Sequence, residues 1–406
     1  MEQYTGILGI IVLLSISFSL SNNRLLIDKN IIFWGLGLQF SFAFIILKTP
    51  FGEKLFFYFN IFIVKLISFA DAGSDFLFTS FIPEVGYDQA LLNFAFRALP
   101  VIIFFSSLIA VTYHLGVVQF VIKNISLLME KTMKTSGAET LSISANIFVG
   151  QTEAPILIRP YISIMTKSEL MAVMVGGFAT VAGSVMALYV TWLNNIPGIA
   201  GHLLAASVMS APAALMVAKI IYPEKNSLKT IKSNQIKLKS NDNNIVDAVG
   251  RGATEGLKLA ANVAAMLIAF ISMVAMINFA LGLLGTSMQE ILGLLFKPLA
   301  WTMGIPWKDA QIVGTLMGEK IVLTELIAFR DLSDYVAKNI LSERSIIITS
   351  YALCGFANFG SIGIQLGGIG SMAPERKKDL SRIVFKAMLG GAIASWLTAS
   401  IVGIMI

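Results

Sequence analysis

Cysteine, histidine and charged residues are all scarce in this sequence of 406 residues. The single cysteine, Cys354, excludes an intramolecular disulfide and a metal cluster built from several cysteines. The two histidines, His114 and His202, do not stand in an H-E-x-x-H motif, which leaves little basis for metal-dependent hydrolysis. Charged residues make up only 13% of the chain, whereas a soluble domain has roughly a quarter. A buried core cannot explain so large a deficit, and the composition therefore indicates a membrane protein.

Long apolar stretches recur along the chain, in which 56% of the residues are hydrophobic and the mean hydropathy is +0.78. A helix that spans the hydrocarbon layer needs about 20 mostly apolar residues. Eight stretches of this kind are predicted to span the membrane: 5–20, 31–48, 99–121, 168–191, 203–222, 258–285, 344–370 and 383–406. The predicted fold class is an all-α polytopic membrane protein. The net charge of +6 is interpreted as loop charge rather than as a nucleic-acid surface.

Lysine and arginine residues concentrate in alternate loops. They lie at Arg24, Lys29, Lys123, Lys131 and Lys134, in segment 223–251 and in segment 376–382. The positive-inside rule places these loops in the cytoplasm. Both termini are then expected in the periplasm of a bacterial inner membrane, which agrees with an even number of crossings. Segment 223–251 is predicted to be a flexible connector, and the mixed apolar and charged residues 51–98 are predicted to form interfacial helices on the membrane surface.

Two further segments, 141–160 and 310–331, are apolar at both ends but polar in the middle. Each apolar half is too short to cross the membrane alone, so a re-entrant helical hairpin is predicted for each segment. Non-helical backbone at membrane depth must be buried in protein or line a cavity. A carboxylate at that depth is costly, which makes Glu153 and Glu325 functional candidates. Glu319 and Lys320 fit a simple charge pair as well as they fit a functional role.

Each predicted hairpin is followed by a span with a glycine-rich polar break, at 176–184 and at 354–363, and then by one more span. The loop charges place the base of the first hairpin inside and that of the second outside. This order predicts an inverted repeat, which is typical of secondary transporters with a site near the midplane. The chain is thus divided into an N-terminal scaffold part (1–98), a third span with an amphipathic segment (99–135), a first repeat (136–222), a connector with a long span and an amphipathic helix (223–308), and a second repeat (309–406).

Several ordered motifs run from about residue 95 to the C-terminus. They are Gly150-Gln151-Thr152-Glu153-Ala154-Pro155, Arg159-Pro160, Lys167-Ser168-Glu169-Leu170, Ala182-Gly183-Ser184-Val185, Gly256-Leu257-Lys258-Leu259-Ala260, Asn262-Val263, Pro298-Leu299-Ala300-Trp301, Gly304-Ile305-Pro306-Trp307 and Gly355-Phe356-Ala357-Asn358-Phe359. Together they resemble bacterial members of the concentrative nucleoside transporter family. The resemblance implies a homotrimer in membrane lipids that imports nucleosides by sodium-coupled symport and alternating access. It implies Na⁺ as the coupling ion, no other cofactor and no enzyme activity.

The resemblance also implies which residues form the site. The nucleobase would be bound by Gln151, Thr152, Glu153 and Val185, and the ribose by Glu325, Asn358 and Ser361. Gly150 and Phe356 would pack against the substrate. The sodium ligands would be the side chains of Asn146 and Thr180 and the carbonyl groups of Val149 and Val181. These residue types suit the chemistry, because Na⁺ prefers oxygen ligands and amide or carboxyl groups match the polar edges of a nucleoside.

Alternatives stay open at this point. Thr324 stands where the family often has Asn, and Gly360 where it often has Ser, so the finer substrate preference is not fixed. A proton-coupled nucleoside permease is the first alternative, because Glu153 or Glu325 could titrate in a dry site. A more distant alternative is a membrane-embedded enzyme that uses these two residues as an acid/base pair. A pure channel fits less well, because hairpins of opposite orientation imply alternating access.

Overall fold

The computed structural model describes residues 2–78, 94–225, 236 and 242–406, and all regular secondary structure in these residues is helical. Seven helices in this part of the chain are long and apolar enough to cross a membrane, and an eighth apolar helix, Tyr4–Ser19, is shorter. The predicted all-α fold class is therefore confirmed. The predicted span 344–370 consists of two helices separated by a break. Most of the predicted connector 223–251 lies outside the described residues.

In the part of the chain that the structure describes, six α-helices precede the first predicted hairpin. They are α1 (Glu2–Ser19), α2 (Lys29–Lys48), α3 (Pro50–Phe78), α4 (Phe94–Arg97), α5 (Leu99–His114) and α6 (Val117–Met133). The Asp28 side chain caps α2 by accepting a hydrogen bond from the backbone N–H of Asn30. Although a surface location is predicted for residues 51–98, α3 is one continuous helix with the length and composition of a membrane span. Its location on the membrane surface stays a prediction, and residues 79–93 lie outside the described part.

The first repeat begins with a short helix and a turn. Its elements are α7 (Gly137–Ala145), a 3-10 turn (Ala154–Ile158), α8 (Arg159–Ile162), α9 (Lys167–Ala179), α10 (Gly183–Trp192) and α11 (Ile199–Ile221). Capping boxes at Ser136 and Thr166 fix the starts of α7 and α9. Between α9 and α10 the chain leaves the helical conformation, and Thr180 is extended. The predicted break in this span is therefore present.

Between the two predicted repeats the described residues form the helices α12 (Ile245–Gly282) and α13 (Met288–Thr302). Gly252, Gly256 and Ala260 lie one turn apart on the face of α12 that packs against α5. A Cβ atom at Gly256 would lie only 2.7 Å from the Cα of Ile103. Small residues at this spacing let two helix backbones approach closely, as is common in membrane proteins.

The predicted second repeat resembles the predicted first repeat in the order of its main elements. It comprises α14 (Ala310–Val322), α15 (Glu325–Ala337), α16 (Glu343–Leu353), α17 (Phe359–Met372) and α18 (Lys377–Met405). Leu323 and Thr324 separate α14 from α15, and Thr324 caps the start of α15. Each predicted repeat thus contains two helices separated by a turn, then a broken helix and then a long helix.

The two helix breaks contact each other in the core. Gly355 has a φ of +103°, and a Cβ atom there would lie 2.6 Å from the carbonyl oxygen of Phe178 and 2.7 Å from that of Ala179. On α18, the Ser395 hydroxyl oxygen lies 2.5 Å from the Cys354 carbonyl oxygen and 3.5 Å from that of Ala179. Only glycine adopts this backbone conformation readily and leaves room for such an approach. The C-terminal ends of α9 and α16 therefore pack directly against each other at Gly355 and Ser395.

Candidate substrate and ion site

A buried carboxylate, Glu325, lies at the start of α15. It accepts a hydrogen bond from Asn358 Nδ2 at 2.7 Å and another from the Tyr189 hydroxyl at 3.2 Å. Glu325 is 2% exposed, and its position in the first helical turn favours a negative charge. The Tyr189 ring stacks on Phe329, with ring centroids 4.1 Å apart. The second hairpin, the second break and α10 therefore meet at this carboxylate.

A chain of hydrogen bonds continues from Asn358 to the first repeat. Asn358 Oδ1 accepts from the backbone N–H of Ser361 at 2.8 Å, and Ser361 Oγ accepts from Gln151 Nε2 at 3.1 Å. Gln151 Oε1 in turn accepts from Gln365 Nε2 at 3.1 Å, and Gln365 also donates to the carbonyl oxygen of Met174 at 3.1 Å. We refer to Tyr189, Glu325, Asn358, Ser361, Gln151 and Gln365 as the polar network. It connects both repeats through buried groups.

Gly177 on α9 provides the space for the two glutamines. A Cβ atom at this position would lie 2.6 Å from Gln365 Nε2 and 3.1 Å from the Cβ of Gln151. A larger residue would force both amides to move. Part of the glycine-rich break predicted from the sequence therefore makes room for the polar network.

The other residues predicted to contact the substrate lie outside the polar network. The Thr152 side chain packs on α17, where a Cβ atom at Gly368 would lie 2.8 Å from Thr152 Cγ2. Glu153 is exposed, and its carboxylate accepts a hydrogen bond from the backbone N–H of Gly150 at 3.2 Å. Val185 is buried in the first turn of α10, and Phe356 lies partly buried in the second break.

The predicted sodium ligands come from two neighbouring stretches, 146–149 and 180–181. The Phe148 carbonyl accepts a hydrogen bond from the Gly183 backbone N–H at 3.0 Å, which joins the first hairpin to the break after α9. Asn146 donates through Nδ2 to the Ser142 carbonyl at 3.2 Å, and Thr180 Oγ1 donates to the Gly176 carbonyl at 3.0 Å.

One oxygen atom in these stretches is especially suited to a cation. Asn146 Oδ1 is buried and accepts no hydrogen bond from the described residues, and the same is true of Ser142 Oγ on the preceding turn. Because buried polar atoms are nearly always paired, an unpaired buried oxygen calls for an explanation such as a bound ion. The residues present therefore fit an oxygen-ligated cation.

Two residues of the polar network, Gln365 and Tyr189, and Lys320 at the second break were not predicted in these roles from the sequence. Gln365 carries a sequence signal, since it is an amide in an otherwise apolar, glycine-rich helix. Tyr189 has no such signal, because an aromatic residue in a span usually packs against its neighbours. Lys320 is not paired with Glu319: its ammonium donates to the carbonyl oxygens of Ala352 and Cys354.

Two interrupted helix pairs, two broken helices and a shared network of buried polar groups define a class of protein. Helical membrane transporters build their binding sites in this way, from the ends of discontinuous helices near the middle of the membrane.

Comparison with known proteins identifies the family. Residues 8–81 match the Na⁺ dependent nucleoside transporter N-terminus, residues 95–195 match the nucleoside recognition gate, and residues 202–403 match the Na⁺ dependent nucleoside transporter C-terminus. The chain belongs to the Na⁺ dependent nucleoside transporter family. This result confirms the resemblance found in the motifs and makes the chain a multi-pass membrane protein.

Individual relatives agree with the family assignment. The chain is 42% identical over 428 residues to sodium/nucleoside cotransporter 1 of Rattus norvegicus, and 41% identical over 427 residues to that of Homo sapiens. It is covered completely in both comparisons and spans 64% of the length of each relative. The structure of CNTnw in an inward-facing substrate-bound state superimposes with a TM-score of 0.92 and 39% identity, over 100% of this chain and 98% of that one. All these relatives are transporters, and the enzyme alternative finds no support among them.

Proposed function

We propose that this chain is a sodium-coupled symporter that imports nucleosides by alternating access. The observation that carries the proposal is the polar network, which links both hairpins and the second broken helix through buried hydrogen bonds. A substrate bound there contacts both repeats at once. Its binding can therefore bias how the repeats move, which is what coupled transport requires.

The ribose end of the site is assigned to Glu325, Asn358 and Ser361. A carboxylate offers about four acceptor positions, and the Glu325 carboxylate accepts two hydrogen bonds from protein groups. Capacity remains for the vicinal hydroxyl groups of a ribose, which are donors. Asn358 and Ser361 lie beside this carboxylate on the same helix start and add polar partners.

The nucleobase end is assigned to the first hairpin. The Gln151 side-chain amide combines a donor group with an acceptor group, and the edge of a nucleobase does the same. Gln365 holds this amide in place through the hydrogen bond at 3.1 Å. We assign Thr152, Glu153 and Val185 to the same end, with Gly150 and Phe356 packing on the substrate.

The sodium site is assigned to Asn146, Thr180 and the carbonyl groups of Val149 and Val181. The unpartnered Asn146 Oδ1 supports this assignment, because Na⁺ is bound by side-chain oxygens and by carbonyl groups freed at helix breaks. The ligands are neutral oxygens, which favours sodium over protons as the coupling ion.

The loop charges and the family support a proposal for the arrangement in the membrane. We propose a bacterial inner-membrane protein with periplasmic termini, two re-entrant hairpins of opposite orientation and the five-part division given above. We further propose a homotrimer embedded in lipid. The outward face of α12 supports this, because Ile268, Met276 and Phe279 on it are strongly exposed, as suits a helix that contacts lipid or another subunit.

Uptake of labelled uridine and adenosine into proteoliposomes tests the proposed function. We expect uptake under an imposed sodium gradient, and a difference between the two nucleosides would reveal the base preference. Uptake with a proton gradient alone would keep the fold but support the proton-coupled alternative. Absence of uptake under both gradients, from protein shown to be folded, would contradict nucleoside transport.

We expect Asn146→Ala to raise the sodium concentration for half-maximal uptake about tenfold, which corresponds to roughly 1.4 kcal/mol of lost ion binding. The measurement is uridine uptake as a function of sodium concentration. Asn124→Ala is a matched control, since Asn124 also donates through Nδ2 to the carbonyl group four residues earlier but lies exposed on α6. An unchanged sodium dependence in Asn146→Ala would remove this residue from the ion site.

Gln365→Ala is expected to raise the KM for nucleosides about tenfold, because it leaves Gln151 Oε1 and the Met174 carbonyl without their shared donor. Initial uptake rates at saturating sodium give this KM. Since Gln365 acts by positioning Gln151, the double variant with Gln151→Ala should lose less than the sum of the two single effects. Additive losses would show that the two amides act independently.

A further inference from the structure

Lys320 carries a fully buried ammonium group that the proposed transport mechanism does not use. Its Nζ donates to the carbonyl oxygens of Ala352 at 3.0 Å and Cys354 at 2.9 Å. These carbonyl groups lie at the C-terminal end of α16, where the helix breaks and its last carbonyl groups lose their helical partners. A positive charge at a helix C-terminus is also favoured by the helix dipole. The ammonium therefore stabilises the second break.

The partners of Lys320 differ from those of the other deeply buried lysine. Lys219 is paired with the Glu139 carboxylate at 2.7 Å and also donates to Ser168 Oγ. In the described residues Lys320 forms no ion pair, and its two hydrogen-bond acceptors are main-chain carbonyl oxygens. Neutral carbonyl oxygens freed at a helix break are the groups with which transporters bind free cations. Lys320 is thus bound as a free cation would be.

Lys320 and the proposed sodium ligands both lie where a predicted hairpin adjoins a broken helix. Both hairpins have a Thr-Glu pair, Thr152-Glu153 and Thr324-Glu325; Asn146 lies seven residues before the first glutamate and Lys320 five residues before the second. In each repeat the adjoining broken helix ends beside the hairpin, and the two ends contact each other at Gly355. The Lys320 ammonium therefore lies between the second hairpin and the end of α16, just as the proposed sodium ligands lie where the first hairpin adjoins the break after α9.

We propose that Lys320 is a tethered cation that replaces a second coupling ion. It holds the second break so that Asn358 and Glu325, which follow that break and the second hairpin turn, are positioned for the substrate. Lys320 is a positioning residue, since the atoms it contacts belong to the protein backbone. This inference rests on the proposed sodium site in the first repeat. It requires that a small free cation can do the work of the ammonium once the side chain is removed.

Two substitutions separate the charge from the volume of this side chain. Lys320→Ala removes both and leaves space for a small cation, so we expect uptake to fall by at least about tenfold and to be restored in part by methylammonium at fixed sodium. Lys320→Met keeps most of the volume without the charge, so uptake should be lost and methylammonium should have no effect. Lys386→Ala is the control, because Lys386 also donates to a carbonyl oxygen, that of Leu20, but lies away from the breaks. Its uptake should match the wild type, with no response to methylammonium.

Sodium-driven uptake by the wild-type protein is measured first, because it separates failure of the proposed function from failure of this inference. If wild-type protein shows no sodium-driven uptake, the proposed function fails before any variant is compared. If the wild type transports, then wild-type uptake by Lys320→Met overturns the inference, because the charge is not needed. The inference is also overturned if Lys320→Ala folds but its uptake does not respond to methylammonium. The same holds if Lys320→Ala fails to fold both with and without methylammonium.

Discussion

Glu325→Gln is expected to reduce sodium-driven nucleoside uptake at least about a hundredfold in protein that stays folded. The glutamine side chain has the shape of glutamate, but it places an amide N–H₂ where a carboxylate oxygen accepts from Asn358 Nδ2 or from the Tyr189 hydroxyl. Two donors then face each other, and an unpaired buried polar group costs about 1–3 kcal/mol. The ribose also loses one of the two carboxyl oxygens proposed to accept from its hydroxyl groups, so the loss of substrate binding adds to the cost of the mismatched hydrogen bond.

The measurement is the initial rate of uridine and adenosine uptake into proteoliposomes under a sodium gradient. Glu343→Gln is a matched control, because Glu343 is also the first residue of a helix but lies exposed at the start of α16. Tyr189→Phe should have a smaller effect, about a fivefold increase in KM, since it removes one hydrogen bond and leaves the carboxylate in place. Wild-type transport by Glu325→Gln would remove Glu325 from the site.

Gly355→Ala is expected to lower the free energy of unfolding by about 3 kcal/mol, at the upper end of the range for strained backbone. The φ of +103° is unfavourable for alanine, and the added Cβ would lie 2.6 Å from the Phe178 carbonyl oxygen. Relief of this contact requires the ends of α9 and α16 to separate. Because Thr180 and Asn358 lie next to these ends, uptake should be lost together with stability.

Thermal unfolding in detergent, followed by helical circular dichroism, measures this effect as a lower melting temperature. Gly363→Ala is the control, because Gly363 lies within α17 and a Cβ atom there would meet nothing within 4 Å. Alanine is the better helix former, so this variant should be at least as stable as the wild type. Equal melting temperatures for Gly355→Ala and Gly363→Ala would show that the contact between the two breaks is not tight.

Much of the fold could be predicted because its signals are local. Glycine, proline and polar residues interrupt apolar stretches at 150–155 and 354–358, and the helices end or break there. Helix α3 shows the limit of such signals: Lys54, Lys65, Asp71 and Asp75 predict a surface location, and the one continuous helix of 29 residues on which they stand is compatible both with that location and with a span. Composition decides that a helix forms, but its place relative to the membrane depends on packing.

The site was less accessible to sequence reasoning, because its geometry depends on contacts between distant residues. Glu325 was a candidate as a carboxylate at membrane depth, and Gln151, Asn358 and Ser361 were proposed from the family resemblance; the structure brings all four into one network. The partners that position them, Tyr189 and Gln365, were not found. A tyrosine or glutamine becomes part of a site only through the side chains that it contacts in the folded chain. Such contacts join residues far apart in sequence, since 210 positions separate Gln151 from Ser361.

The contact between the two helix breaks has a thermodynamic consequence for transport. The proposed sodium ligands adjoin the end of α9, the proposed ribose ligands adjoin the end of α16, and the two ends meet at Gly355 and Ser395. We expect an ion that orders one end to order the other as well, so that the two ligands share a coupling free energy. By linkage, the factor by which bound sodium tightens nucleoside binding equals the factor by which bound nucleoside tightens sodium binding. Neither ligand alone gains that energy, so carrier with only one ligand bound is less populated than independent binding would allow.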